Sequence, residues 1–110
     1  MMFRSKSFIV TLAALTAAFA GRAFAGDHPV SQVNKTFSMP VVKAKVGDTV
    51  TFKNDDTFAH NVFSLSEVQN FDLGSYKKGE TRQLKLTNPG TIEVECAIHP
   101  EMKMKIEVSK

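Results

Sequence analysis

The chain has 110 residues, 43% hydrophobic and 23% charged, a length that accommodates one domain and excludes a multidomain machine. The 14 Lys and Arg against 11 Asp and Glu leave a net charge of +3, and that surplus corresponds to Arg4, Lys6 and Arg22, which lie where there are no acids. From Gly26 onward the charges cancel, so the clustered cations that nucleic-acid binding draws on are missing.

Met1 to Ser7 carries Arg4 and Lys6, Phe8 to Ala20 is a mostly apolar run, and Ala23-Phe24-Ala25 is a small-x-small site. Basic, apolar and cleavable parts in that order are those of a secretory signal. A helix of that run would reach about 20 Å, short of the ~30 Å hydrocarbon layer, so no permanent membrane anchor is expected. The expectation is a signal peptide over residues 1–25, cleavage after Ala25, a periplasmic mature chain, and one domain over residues 26–110. Export makes the single cysteine, Cys96, notable. It cannot form an internal disulfide, which leaves an inert buried thiol, an intermolecular disulfide or a thiolate held by a metal.

After that cleavage Gly26-Asp27-His28 would begin the chain. Its amine, two amides and imidazole could form a square-planar nitrogen site for a second Cu(II), read here as incidental. Further on, Val41 to Val46 is a Val-rich stretch, Gly47-Asp48 a turn, and Thr49 to Lys53 alternates polar and apolar before Asn54-Asp55-Asp56 turns again. Ser66 to Tyr76 has no clear alternation and reads as loop or a single helical turn. Leu84 and Leu86 share one face, Asn88-Pro89-Gly90 is a tight turn, and Ile92, Val94 and Cys96 share the next face. The last run sets Met104, Ile106 and Val108 against Lys103, Lys105 and Glu107. Strict alternation means half-buried strands, as in an antiparallel sandwich or barrel, so the fold class is all-β. Phe52 and Phe63 read as interior residues, and Lys77-Lys78 as a solvated turn that could steer an acidic partner.

The informative string is Cys96-Ala97-Ile98-His99-Pro100-Glu101-Met102, with His60 lying 36 positions before Cys96. One thiol, two imidazoles and one thioether are the donor types of a blue-copper centre. Soft sulfur suits Cu(I) and nitrogen suits Cu(II), so a mixed set serves both states without large rearrangement. Cys96 ends a strand on its inner face, and a short loop stiffened by Pro100 can return His99 to the same point. His60 must arrive from a separate strand, which Ala59-His60-Asn61-Val62 can supply.

On these residues the chain resembles the cupredoxins, and within them the short-loop amicyanin-like and plastocyanin-like bacterial members. The likeness rests on Val46-Gly47-Asp48-Thr49-Val50-Thr51-Phe52 running into Asn54, on His60-Asn61-Val62, on Pro89-Gly90, and on Cys96-x-x-His99-Pro100-x-Met102. It implies a Greek-key β-sandwich or barrel of about seven to eight strands with one type 1 copper. It also implies His60, Cys96, His99 and Met102 as ligands, with the Asn61 backbone N–H donating to the Cys96 sulfur. Met102 and Met104 have the same parity, so alternation cannot separate them. The family spacing, with the ligand Met four and six residues before Ile106 and Val108, favours Met102, whereas Met104 would correspond to a longer loop.

With all four copper positions filled by protein, no open catalytic site is expected and the protein is not read as an enzyme. The reading is a soluble, monomeric one-electron carrier cycling Cu(II)/Cu(I), with electrons passing the His99 edge and Pro100, Phe58 and Met39 forming an apolar docking patch. The resemblance implies partners such as a quinoprotein amine dehydrogenase and a c-type cytochrome. The competing readings are a copper delivery or buffering protein with the same ligands, and a zinc-stabilised structural domain, against which the thioether counts.

Overall fold

The structure is a computed structural model and describes residues 25–110; the proposed signal segment lies outside these residues, except for Ala25. They form nine strands and no helix: β1 (Asp27–Val33), β2 (Thr36–Phe37), β3 (Val41–Lys45), β4 (Thr49–Asn54), β5 (His60–Ser64), β6 (Phe71–Tyr76), β7 (Thr81–Lys85), β8 (Gly90–Glu95) and β9 (Lys103–Ser109). The two sheets run β2-β1-β4-β7 and β3-β9-β8-β5-β6. The count exceeds the seven to eight expected because the short β2 closes a hairpin onto β1. Among the described residues no helix is long and apolar enough to cross a membrane.

Period-two patterning builds the core between the sheets. Val30, Val50, Phe52 and Leu84 face inward from one sheet, and Val42, Val62, Ile92, Val94, Met104 and Ile106 from the other. The β8–β9 register sets Ile92 opposite Ile106 and Val94 opposite Met104. Two pairings depart from an antiparallel sandwich: β1 lies parallel to β4 and β3 parallel to β9. Alternation fixes which face a side chain takes but not the direction of the neighbouring strand, and chains that cross between two sheets bring parallel neighbours together.

Two local expectations are corrected. Residues 71–76 are a strand, β6, at the edge of the five-stranded sheet. Its alternation is hidden because Phe71 and Leu73 are only half-buried, and Gly74, at φ +77°, shifts the parity so that Tyr76 points inward. Phe63 is half-buried on the opposite face from His60 and Val62, so Val62 supplies the core contact expected of it.

Candidate metal centre

The alternation that buries Ile92 and Val94 continues one residue past β8 and buries Cys96, leaving it 1% exposed. His60 opens β5 on the same inward face as Val62 and is fully buried. Between Cys96 and β9 the chain makes a short turn in which the Met102 N–H donates to the His99 carbonyl at 2.9 Å. The result is convergence: donor atoms of His60, Cys96 and His99 lie within 4.8 Å of one another. His60 Nδ1 is 3.7 Å from Cys96 Sγ and 3.3 Å from His99 Nδ1. A first-row ion bonded to nitrogen at ~2.0 Å and sulfur at ~2.3 Å in a trigonal plane requires donor separations of about 3.5 and 3.7 Å. The separations of His60 from Cys96 and from His99 already stand near that spacing.

Met102 is 1% exposed and Met104 3%, so burial does not choose between them. Glu95 pairs with Lys103 and Val94 with Met104. Continuing that ladder sets Met102 opposite Cys96, while Met104 is committed to the core beside Val94. A thioether beside one thiolate and two imidazoles suits copper and is a poor donor for zinc.

Several supporting contacts were not legible in the sequence. Asp56, read only as part of a turn, is buried, and its Oδ2 lies 2.6 Å from His60 Nε2. With the carboxylate ionised, Nε2–H donates and the lone pair is left on Nδ1, the nitrogen that faces Cys96 and His99. Asp56 Oδ1 accepts the Asn34 N–H at 2.7 Å and Oδ2 the Lys35 N–H at 3.1 Å. Burial works against the Asp56 charge, but the bonds from His60, Lys35 and Asn34 outweigh it and hold the carboxyl below its usual range. Four-residue spacing between Asp56 and His60 carries no signal outside a helix, so only the folded loop reveals the pair.

Asn54, fully buried, organises the same loop: its side chain accepts the Asp56 N–H at 2.7 Å and donates to the carbonyls of Phe58 and Tyr76. Asn61 ties β5 to the ligand loop through its side chain, Oδ1 accepting the Ala97 N–H at 2.7 Å. The expected Asn61 N–H to sulfur bond is not among the hydrogen bonds of the described residues, where the sulfur's partner is His60.

Around the centre, the Phe58 ring packs 5.3 Å from the His60 ring and 5.0 Å from the His99 ring. His99 is half-buried, and Phe58, Ile98 and Pro100 beside it are exposed. Met39 lines a different groove, with His28, Pro29, Val42 and Lys43. Ile98, missed as a surface residue because it lies inside the ligand motif, belongs to the apolar rim instead. At the start of β1, Asp48 takes both the Gly26 N–H at 2.8 Å and His28 Nε2 at 2.9 Å. A square-planar site there would have to draw the first residues of β1 out of their pairing with β4.

Comparison with known proteins agrees with this geometry. Residues 29–109 match the family of copper binding proteins described as plastocyanin/azurin. The chain is similar to amicyanin-alpha of Methylorubrum extorquens, 32% identical over 96% of this chain and 98% of that one. It is also similar to the methylamine utilization protein MauL of the same organism, 30% identical over 91% and 89%. Among solved structures, a reduced tryptophan-to-tyrosine mutant of amicyanin superposes with a TM-score of 0.72 at 31% identity, over 82% of this chain and 88% of that one. The chain belongs to the plastocyanin/azurin family of copper-binding proteins, the cupredoxins, and its cofactor is copper.

Proposed function

We propose that this one-electron copper carrier works in the periplasm after loss of residues 1–25 and holds its copper through His60, Cys96, His99 and Met102. The observation that carries the reading is the approach of three metal donors, from segments 36 residues apart, to within 4.8 Å. Copper, when bound, supplies one-electron exchange between Cu(II) and Cu(I). The chain's own contribution is a donor set acceptable to both states and buried strands that resist its rearrangement between them. Four protein donors leave no position for a substrate, so the protein carries electrons and catalyses no reaction of its own.

His99 is the one half-buried residue of the three converging donors, so electrons leave and enter past its ring. The exposed rim of Phe58, Ile98 and Pro100 suits the small, short-lived interfaces of redox encounters. Charged groups at its margin, such as Lys35, whose Nζ lies 5.7 Å over the Phe58 ring, act on association rate more than on affinity. The donor in this reading is a quinoprotein amine dehydrogenase, to which the relative named for methylamine utilization lends support; the acceptor is a c-type cytochrome, and the chain acts between them as a monomer. Stopped-flow mixing of the Cu(I) protein with an oxidised c-type cytochrome tests the reading. Rapid reversible electron exchange with copper retained supports the carrier. Transfer of the metal to an apo-acceptor without redox cycling would assign copper delivery instead.

A further inference from the structure

Asp56 stands outside the four donors, yet its carboxylate touches the donor set directly, and its surroundings are built to hold a charge. It is 7% exposed and sits 2.6 Å from His60 Nε2, on the side of the ring opposite Nδ1. The two amides that steady it come from the tip of the β1–β2 hairpin, more than twenty residues earlier. Asn34 and Lys35 at that tip have φ of +53° and +58°. The β1–β2 loop has two residues between the paired Val33 and Thr36, and the favoured turn of such a hairpin has φ > 0 at both of them. The same turn delivers its pair of N–H groups to the two oxygens of one buried carboxylate.

We propose that Asp56 is a positioning residue that sets the reduction potential of the copper centre through His60, and that the Asn34–Lys35 turn keeps its charge in place. The proposal rests on the ligand reading above. A carboxylate accepting Nε2–H raises the electron density at Nδ1 and makes the imidazole a stronger donor. A stronger nitrogen donor favours Cu(II) over Cu(I), because Cu(I) depends more on sulfur. The charge of Asp56 adds in the same direction, since it stabilises the more highly charged ion. Asp56 therefore lowers the potential, and the hairpin amides fix the carboxylate where it can do so.

The test compares Asp56→Asn with Asp48→Asn in the copper-loaded protein, by voltammetry at pH 7. Asp48 anchors the far end of β4 and serves as the control for loss of a structural acid. Removing an outer partner of a metal-bound His costs 10–100-fold in metal affinity. A tenfold loss confined to Cu(II) raises the potential by about 59 mV for one electron. The expected result is a rise of at least that size in Asp56→Asn and no change in Asp48→Asn. Equal potentials in Asp56→Asn and wild type, or an equal shift in both variants, overturn the proposal. If Asp56→Asn does not fold, 1H–15N NMR of the wild-type Cu(I) protein decides: a His60 Nε2–H proton shifted strongly downfield, as a bond to a carboxylate makes it, supports the proposal, and one at the position of an unbonded imidazole N–H refutes it. A protein that shows the thiolate-to-copper band but a potential indifferent to Asp56 defeats this inference alone. Absence of that band defeats the ligand assignment.

Discussion

Replacing Tyr76 by Phe removes one hydroxyl from behind the metal centre and tests how the two sheets are held together there. Tyr76, 2% exposed on β6, donates to Gln32 Oε1 on β1, and Gln32 is fully buried with its Nε2 unpartnered. The bond crosses from one sheet to the other. Tyr76 is also the cross-strand neighbour of His60, and its carbonyl takes the Asn54 side chain. In Tyr76→Phe the whole Gln32 amide is left without a partner, which costs about 1–3 kcal/mol. For a domain of this size each kcal/mol moves the melting temperature by roughly 4–8 °C, so a loss near 2 kcal/mol lowers it by about 8–16 °C. Urea and thermal unfolding of the apoprotein measure it. Gln32→Met with Tyr76→Phe should recover at least half of the loss, because removing both partners of a buried bond can be nearly neutral, and the double-mutant cycle isolates their coupling. A loss below ~0.5 kcal/mol in Tyr76→Phe, or a double variant less stable than the single, would refute the reasoning.

Met102→Ala should perturb the visible and EPR spectra of the Cu(II) protein more than Met104→Ala, which should mainly lower stability by the ~2–5 kcal/mol of a core truncation; the reverse order would move the axial position to Met104. The Asp48 carboxyl is held at about 2, below 3.8, by His28 and by the N–H groups of Gly26 and Lys45. A depressed native pKa gives stability that is present above 3.8 and lost as pH falls through about 2. Urea midpoints of the apoprotein between pH 4 and 2 should fall less steeply in Asp48→Asn than in wild type, and parallel slopes would contradict this.

Much of the site was legible because copper chemistry needs unusual residue types close together. A lone Cys96, followed by His99 and Met102 at fixed spacing, has few alternative uses. The inner faces of β4, β8 and β9 were equally plain, since Val50, Phe52, Ile92, Val94, Ile106 and Val108 alternate without interruption. What was not legible depends on partners distant in sequence. Asp56 acquires its role from the fold of a loop and from a hairpin tip near residue 34, neither of which leaves a periodic trace. β6 was hidden by Gly74, and the parallel neighbours of β1 and β3 are set by crossings between sheets. Phe63 shows the limit of reading residues one at a time. Once His60 faces inward, a period of two turns Phe63 outward, and its aromatic character does not override that.

The central claim is that a thiolate from Cys96 shares one copper ion with the rings of His60 and His99. Adding Cu(II) to the purified mature protein and to Cys96→Ser, and recording the visible absorption of each, tests it most directly. The account predicts an intense thiolate-to-copper charge-transfer band in the wild type at one equivalent of copper and its complete loss in Cys96→Ser. A wild-type protein that binds copper without that band, or a band that survives in Cys96→Ser, would contradict it.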